Sequence, residues 1–326
     1  MKIAIVGASG MVGRLFIKIL EERHVPADEL FLFASARSAG QKLTFHGKEL
    51  TIEELTPSVF DGRGINFALF AVSGELSRKY APIAVKAGCV VVDNSSAWRM
   101  DEAVPLIVPE VNGCDLAGHK GIIANPNCCA APAVVALKPL LDAYGLKRVV
   151  ISTYQSVSGA GVGGMTDLEN TAKGGGPRLF PHPIAFNLIP HIDRFHDDGY
   201  TGEEKKIMAE VRKILHLPEL AITATAVRVP VRVGHSLSIN ATLDSEFELS
   251  DIRALFEAAP GVVLSDDPAS NLYPMPIAAA GTDYVFVGRL RRDSSFPNSL
   301  NMWVCADNTR KGAAANAVQI LCRLIT

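Results

Sequence analysis

The stretch Asn125-Pro126-Asn127-Cys128-Cys129-Ala130-Ala131-Pro132 carries the strongest chemical signal in the chain. An apolar, strand-like run at 121–124 leads into it. Val134, Val135, Leu137, Leu140 and Leu141 follow at helical spacing, with Gly145 as a stop signal after Tyr144. The spacing predicts Cys128 at the first turn of a helix, where unpaired N–H groups and the helix dipole favour an anion. A thiol so placed ionises more readily, and the thiolate is the nucleophile. Paired cysteines beside alanines also read as small buried residues, and this stretch alone does not choose between the two readings. Two other residue types could complete such chemistry. His235, at the junction between two alternating runs, could act as an acid or base near neutral pH or be merely structural. Arg99, just after Asp93-Asn94-Ser95-Ser96-Ala97-Trp98, could clamp a phosphate or carboxylate or form an ordinary surface ion pair.

The elements that must position these groups divide at the cysteines. Ile3-Ala4-Ile5-Val6 reads as a strand buried on both faces and runs directly into Gly7-Ala8-Ser9-Gly10-Met11-Val12-Gly13. A helical pattern follows, with Leu15, Phe16, Ile19 and Leu20 on one side. Strand, glycine turn and helix together suit a pyrophosphate held by backbone N–H groups, although the spacing G-x-x-G-x-x-G is only suggestive by itself. The next strand, 30–34, ends in Ser35-Ala36-Arg37-Ser38. Arg37 stands where an acidic residue would favour NAD, and with Ser35 and Ser38 it argues for the 2′-phosphate of NADP. Further strand signals at 65–72 and 89–92 end in polar turns, around a helical stretch at 75–87. The alternation predicts a doubly wound, Rossmann-like α/β sheet with ligands at the carboxyl ends of its strands.

Beyond the cysteines, 148–155 begins a second series of strands and closes in a glycine-rich loop, Ser156 to Gly164, that lacks a P-loop lysine. Glu203, Lys206, Glu210 and Lys213 fall at helical spacing over 202–216 and read as a solvated face. In 227–233 valines alternate with Arg228, Pro230 and Arg232, which predicts one buried face and one polar face bearing the arginines. Strands at 237–243, 284–290 and 300–305 predict a mostly antiparallel sheet in an α+β domain. Asp307-Asn308-Thr309-Arg310-Lys311-Gly312 then leads into an apolar helix at 313–324 that could pack back on the first domain.

With 326 residues and a net charge of −2, the chain is comfortable as two domains and lacks the basic stripe that nucleic acid or an anionic membrane would need. A small-molecule substrate is expected instead. Six cysteines without knuckle or framework spacing suit a reducing cytoplasm and suggest no metal. The N-terminus lacks the pattern of a signal peptide, and no window reaches the ~18 apolar residues of a membrane span.

The chain resembles the aspartate-semialdehyde dehydrogenases from end to end. The resemblance rests on Gly7 to Gly13, Asp93 to Met100, Asn125 to Cys128, Tyr154 to Gly161, Pro183 to Asn187, Arg228-Val229-Pro230-Val231, Gly234-His235-Ser236 and Asp307 to Gly312, in that order. It implies NADPH-dependent reduction of L-aspartyl 4-phosphate to L-aspartate 4-semialdehyde, in lysine, threonine and methionine biosynthesis. It makes Cys128 the nucleophile of a thioester, His235 the acid/base and Gln155 the group orienting the acyl intermediate. Arg228 would hold the substrate carboxylate, Arg99, Asn127 and Lys206 the phosphate, and Glu203 the substrate amine or the helix lysine. The implied cofactor set is Gly7, Ser9, Gly10, Met11, Val12, Gly13, Ser35, Arg37, Ser38, Ser73, Ser158, Gly159 and Asn308. The expected organisation is an NADP-binding domain of residues 1–127, completed by 306–326, and a catalytic domain of 128–305 that pairs two copies into a homodimer. The alternatives are the related N-acetyl-glutamyl-phosphate reductases and a catalytically silent NADP-binding paralogue. Two departures stand out: Cys129-Ala130 replaces the family's usual Ser-Thr, and Leu237 stands where many members carry an acidic or amide residue.

Overall fold

The computed structural model describes residues 1–325 and divides into two compact units, Met1–Pro126 with Ala313–Thr326, and Asn127–Gly312. The first unit runs β1 (Lys2–Val6), α1 (Met11–Glu22), β2 (Glu29–Ala34), β3 (Lys42–Phe45), β4 (Lys48–Glu54), β5 (Phe67–Phe70), α2 (Gly74–Lys86), β6 (Val90–Asp93), the short α3 (Pro109–Asn112) and β7 (Ile122–Ala124), and takes in the C-terminal helix Ala315–Ile325. Its sheet has the order β3-β4-β2-β1-β5-β6-β7, parallel throughout except for the β3 edge. The continuous apolar run of β1 is explained by its central place in that sheet. Ile3 and Ile5 face Phe16, Ile19 and Leu20 of α1 and Val318 and Leu321 of the C-terminal helix. Ala4 and Val6 face the opposite layer with Phe33, Phe70, Tyr80 and Ala84.

The turn after β1 shows why glycine is required there. Gly7 has a φ of +90°, and a Cβ on it would lie 2.2 Å from the Ala71 carbonyl oxygen. A Cβ on Gly13 would lie 2.2 Å from the Gly7 carbonyl oxygen, so the third glycine lets α1 close onto the turn.

The second unit runs α4 (Ala130–Tyr144), β8 (Arg148–Gln155), α5 (Gly161–Ala172), α6 (Gly202–Ile214), β9 (Ala221–Arg228), β10 (His235–Thr242), α7 (Leu249–Ala258), β11 (Val262–Leu264), the short α8 (Pro276–Ala279), β12 (Val285–Arg292) and β13 (Ser299–Ala306). The sheet order is β11-β12-β13-β10-β8-β9, with parallel pairs only at the two ends, β11·β12 and β8·β9. β8 and β9 run in register so that Gln155 lies beside Arg228. His235 stands one step beyond the Ser236–Tyr154 pair, which brings it to the same end of the sheet. α4, buried from Ala130 through Leu137, packs between this sheet and α6.

Three sequence expectations are corrected here. The alternation at 227–233 placed Arg228 on a polar face, but β9 ends at Arg228, which shares the buried face with Ile222, Ala224 and Ala226. Gly159 leaves room for the guanidinium, since a Cβ there would lie 2.7 Å from Arg228 Nη1. On α6, the charge spacing read as solvated, yet Glu203 and Glu210 are buried and only 6% and 1% exposed. Those two carboxylates hold the turn that carries Cys128. The segment 307–312, expected with the first domain, belongs to the second unit. Asn308 ties it there, because its Oδ1 accepts from Ser156 Oγ, Ser158 Oγ and Gly234 N.

Candidate active site

α4 begins at Ala130 with Cys129 as its N-cap, so Cys128 sits in the turn just before the helix rather than in its first turn. The helix-start N–H groups are not open to a ligand. Asn127 Oδ1 accepts from Cys129 N (2.7 Å) and Ala130 N (3.2 Å), and Asn127 O accepts from Ala131 N at 3.0 Å. Asn127 is held in turn by α6: its backbone N–H donates to Glu210 Oε2 at 2.5 Å and its Nδ2 to Glu203 Oε1 at 2.9 Å. Gln155 Nε2 donates to the same Glu203 oxygen at 3.1 Å and to Thr153 Oγ1 at 3.2 Å. One buried carboxylate thus fixes two side chains of the site. Glu204, the N3 residue of a Thr201 capping box, also accepts from Ala226 N and anchors α6 to β9.

Around the sulfur, Cys129 and His235 are fully buried and Arg228 is 6% exposed. The sulfurs of Cys128 and Cys129 and a ring nitrogen of His235 lie within 4.8 Å of one another. The Cys128 thiol is held well below its ordinary value by the Cys129 thiol that donates to it, against the effect of burial and with help from the neighbouring His235 and the Arg228 charge. Burial pushes Cys129 far the other way, reinforced by its bond to Cys128 and the Cys128 charge, so Cys128 is the thiol of the pair that ionises more readily. Burial lowers the Arg228 guanidinium from its ordinary value, and the Cys128 thiolate and Glu203 act against that shift.

Arg228 Nη1 donates to Ser156 O at 2.9 Å, and its guanidinium carbon lies 5.8 Å from the Phe180 ring centroid. Ser156 N donates to His235 Nδ1 at 3.0 Å, which leaves the hydrogen of the neutral ring on Nε2. Nε2 is the one buried side-chain nitrogen or oxygen without a hydrogen-bond partner among the described residues. A buried donor without a partner, on a ring beside a reactive sulfur, is the signature of a group waiting for a reactant. Gly159 lines the same space: a Cβ there would lie 2.7 Å from Arg228 Nη1 and 3.2 Å from His235 Cε1. Gly159→Ala is therefore expected to lower kcat/KM about 10- to 100-fold through displaced side chains. Steady-state kinetics beside a thermal melt, with the melt nearly unchanged, checks this.

The other residues implied by the resemblance fall in three groups. Lys206 is more exposed, pairs with Asp193 at 2.5 Å and lies 3.9 Å from Glu203. Ser158 and Asn308 are bonded to each other, Asn308 Nδ2 donating to Ser158 Oγ at 3.0 Å. Arg99 belongs to the first unit, where it donates to the carbonyls of Asn94 and Asn125 at 2.9 Å each. Asp93, whose buried carboxyl is pushed up by desolvation, accepts from Ser77 and Ser95 and organises that loop.

In the first unit, the start of α1 suits a nucleotide pyrophosphate. Gly10, its N-cap, supplies no side-chain cap, and a Cβ there would meet only the Gly7 carbonyl at 3.3 Å. The N–H groups around Met11, Val12 and Gly13 and the open side of the turn remain for an anion. Ser9 sits in the turn itself. Ser73 caps α2 by accepting from Leu76 N, and Ser35 and Arg37 are exposed beyond β2 with Ser38 buried beside them.

Sequence reasoning missed Glu210, Ser156 and Gly312. A Cβ on Gly312 would lie 3.0 Å from the Cβ of Cys128, within a π-helical turn Arg310–Ala314 whose Gly312 N–H reaches back to Asp307 O. Of these, only the capping-box pattern at Thr201 hinted that α6 starts against something buried.

Two family models cover most of the chain: "Semialdehyde dehydrogenase, NAD binding domain" at residues 2–119 and "Semialdehyde dehydrogenase, dimerisation domain" at 137–311. The aspartate-semialdehyde dehydrogenase of Aquifex aeolicus is 54% identical over 98% of this chain and 96% of its own length. A solved structure of aspartate semialdehyde dehydrogenase II from Vibrio cholerae, complexed with ASA, superposes with a TM-score of 0.95 at 43% identity, over 99% of this chain and 98% of that one. The aspartate semialdehyde dehydrogenase with NADP from Candida albicans is similar at a TM-score of 0.77 and 26% identity, over 99% and 98% of the two chains.

Proposed function

This chain belongs to the aspartate-semialdehyde dehydrogenase family, and from that premise we propose that it reduces L-aspartyl 4-phosphate to L-aspartate 4-semialdehyde with NADPH, through a thioester on Cys128. The observation that carries this reading is the convergence of Cys128, Cys129 and a ring nitrogen of His235 within 4.8 Å, with the buried Arg228 alongside. The thiolate attacks the acyl carbon, a C–S bond forms and the phosphate leaves with the C–O electron pair. A nicotinamide cofactor, when bound, supplies the hydride. With that hydride the thioester would be reduced to the aldehyde and Cys128 released as thiolate. Gln155, fixed by Glu203 and Thr153, orients the acyl group, and His235 Nε2–H serves the oxygen as negative charge gathers on it. Arg228 pairs with the substrate carboxylate. Arg99 and Lys206 attract the phosphate, while Asn127, its amide already engaged with Glu203 and the helix start, positions the nucleophile.

Preference for NADP rests on Arg37 with Ser35 and Ser38. Arg37→Ala is expected to raise the KM for NADP by about 10- to 100-fold, the scale of one charge-assisted hydrogen bond, and to leave the KM for NAD nearly unchanged. The decisive assay follows absorbance of the reduced nicotinamide with aspartate semialdehyde and phosphate, using NADP and then NAD. Turnover that needs no phosphate, or none with either cofactor, would overturn the reading. A homodimer built through the second unit is supported by exposed apolar side chains there, including Phe186 at 93% and Ile277 at 83% exposure. Sedimentation at micromolar concentration tests it.

A further inference from the structure

We propose that Cys128, Cys129 and His235 together form a chelating site for a zinc-type thiophilic cation, and that filling it switches the enzyme off. The second effect rests on reading Cys128 as the nucleophile; the binding itself does not.

Three soft or borderline ligands converge. Both sulfurs and a ring nitrogen lie within 4.8 Å of one another, from a turn and a strand end that are each held by buried hydrogen bonds. A tetrahedral zinc site with bonds of about 2.3 Å to sulfur places two sulfurs about 3.8 Å apart, so small side-chain rotations close the set. Two thiolates and an imidazole select zinc-like ions over magnesium or calcium. His235 Nε2, without a hydrogen-bond partner among the described residues, is the ring nitrogen left to meet such an ion.

The partners behind the ligands also fit. His235 Nδ1 lies 3.0 Å from Ser156 Oγ, which in turn lies 3.0 Å from Asn308 Oδ1. On coordination at Nε2 the ring hydrogen moves to Nδ1 and is donated to Ser156 Oγ, whose own hydrogen goes to Asn308 Oδ1, while the Ser156 N–H gives up its bond to Nδ1. Such outer hydrogen bonds fix the tautomer of a ligating histidine. Cys129 gives up its proton to solvent, so one proton is released per ion. Two thiolates neutralise the dication, and the Arg228 charge keeps Glu203 as its opposite. The family's more usual serine after the nucleophile would remove one of the two thiolates, so the departure noted at Cys129 is what creates the site.

The test uses reduced, chelator-treated full-length enzyme titrated with cobalt(II) as an optical stand-in for zinc. The expected result is one equivalent bound with thiolate-to-cobalt charge-transfer absorption, displaced by zinc, together with loss of turnover that a chelator restores. Cys129→Ser and Cys129→Ala should each bind cobalt at least tenfold more weakly, with about half the charge-transfer intensity, in whichever of the two melts as the parent does. Active parent enzyme without the charge-transfer band, or variants that match the parent in affinity and intensity, would overturn the site while leaving Cys128 as nucleophile. A full band with unimpaired turnover would overturn the inhibition and count against Cys128 itself.

Discussion

Cys128→Ala is expected to remove phosphate-dependent oxidation of aspartate semialdehyde, by on the order of 10^4-fold or more, because no neighbouring group can form the acyl bond in its place. Cys129 is the obvious substitute, but its full burial disfavours its thiolate even when Cys128 is gone. Cofactor binding should persist, since the glycine turn, Ser35 and Arg37 belong to the other unit. Fluorescence titration with NADPH beside the activity assay separates the two effects. Turnover within about tenfold of the parent would refute the assignment of the nucleophile. The parent protein should also be alkylated by iodoacetamide at Cys128 well below the pH at which an ordinary thiol reacts, because its thiolate persists there.

Arg228→Met should be nearly as damaging, for two separable reasons. The substrate carboxylate loses its partner, so KM rises. The buried Glu203 carboxylate and the Cys128 thiol also lose a nearby cation whose charge favours their ionised forms. The sign of the accompanying pH effect follows from Arg228 acting to lower the Cys128 thiol. Without it the thiol titrates higher, so the acidic limb of the kcat/KM profile should move to higher pH. A variant with raised KM and an unmoved acidic limb would mean that Arg228 binds substrate without tuning the nucleophile. Arg228→Lys, which keeps the charge but not the planar fork, should recover the pH profile better than it recovers KM.

The first half of the fold was open to sequence reasoning because a strand buried on both faces, a glycine turn and an amphipathic helix each leave a local pattern. β1, the turn at Gly7–Gly13 and α1 lie where those patterns predict. Cys128 was legible for the same reason, as a cysteine between a strand signal and a helix signal. The errors arose where burial of charge overrode pattern. Alternation assigned Arg228 to water, although it falls at the same two-residue spacing as the buried Ile222, Ala224 and Ala226. Glu203 and Glu210 look like any charged helix face in sequence, and only the fold shows that the backbone amide of Asn127 lies opposite one and its side-chain amide opposite the other. The helix-start N–H groups assigned to an anion turned out to be occupied by Asn127, a contact between residues so close in sequence that spacing alone leaves it ambiguous.

The C-terminal helix bears on how the chain comes into being. The second unit is one unbroken run of sequence, whereas the first places Ala314, Ala317, Val318, Ile320 and Leu321 in the same core as Ile3, Ile5 and Phe16. During synthesis the catalytic unit is therefore complete while the nucleotide-binding unit, whose first strands emerged long before, still lacks a wall of its core. Its earliest-made segments must wait for the latest-made helix, reversing the usual order in which the N-terminal part of a protein folds first. A ribosome that stops at residue 312 would release an intact catalytic unit joined to a nucleotide fold that cannot close.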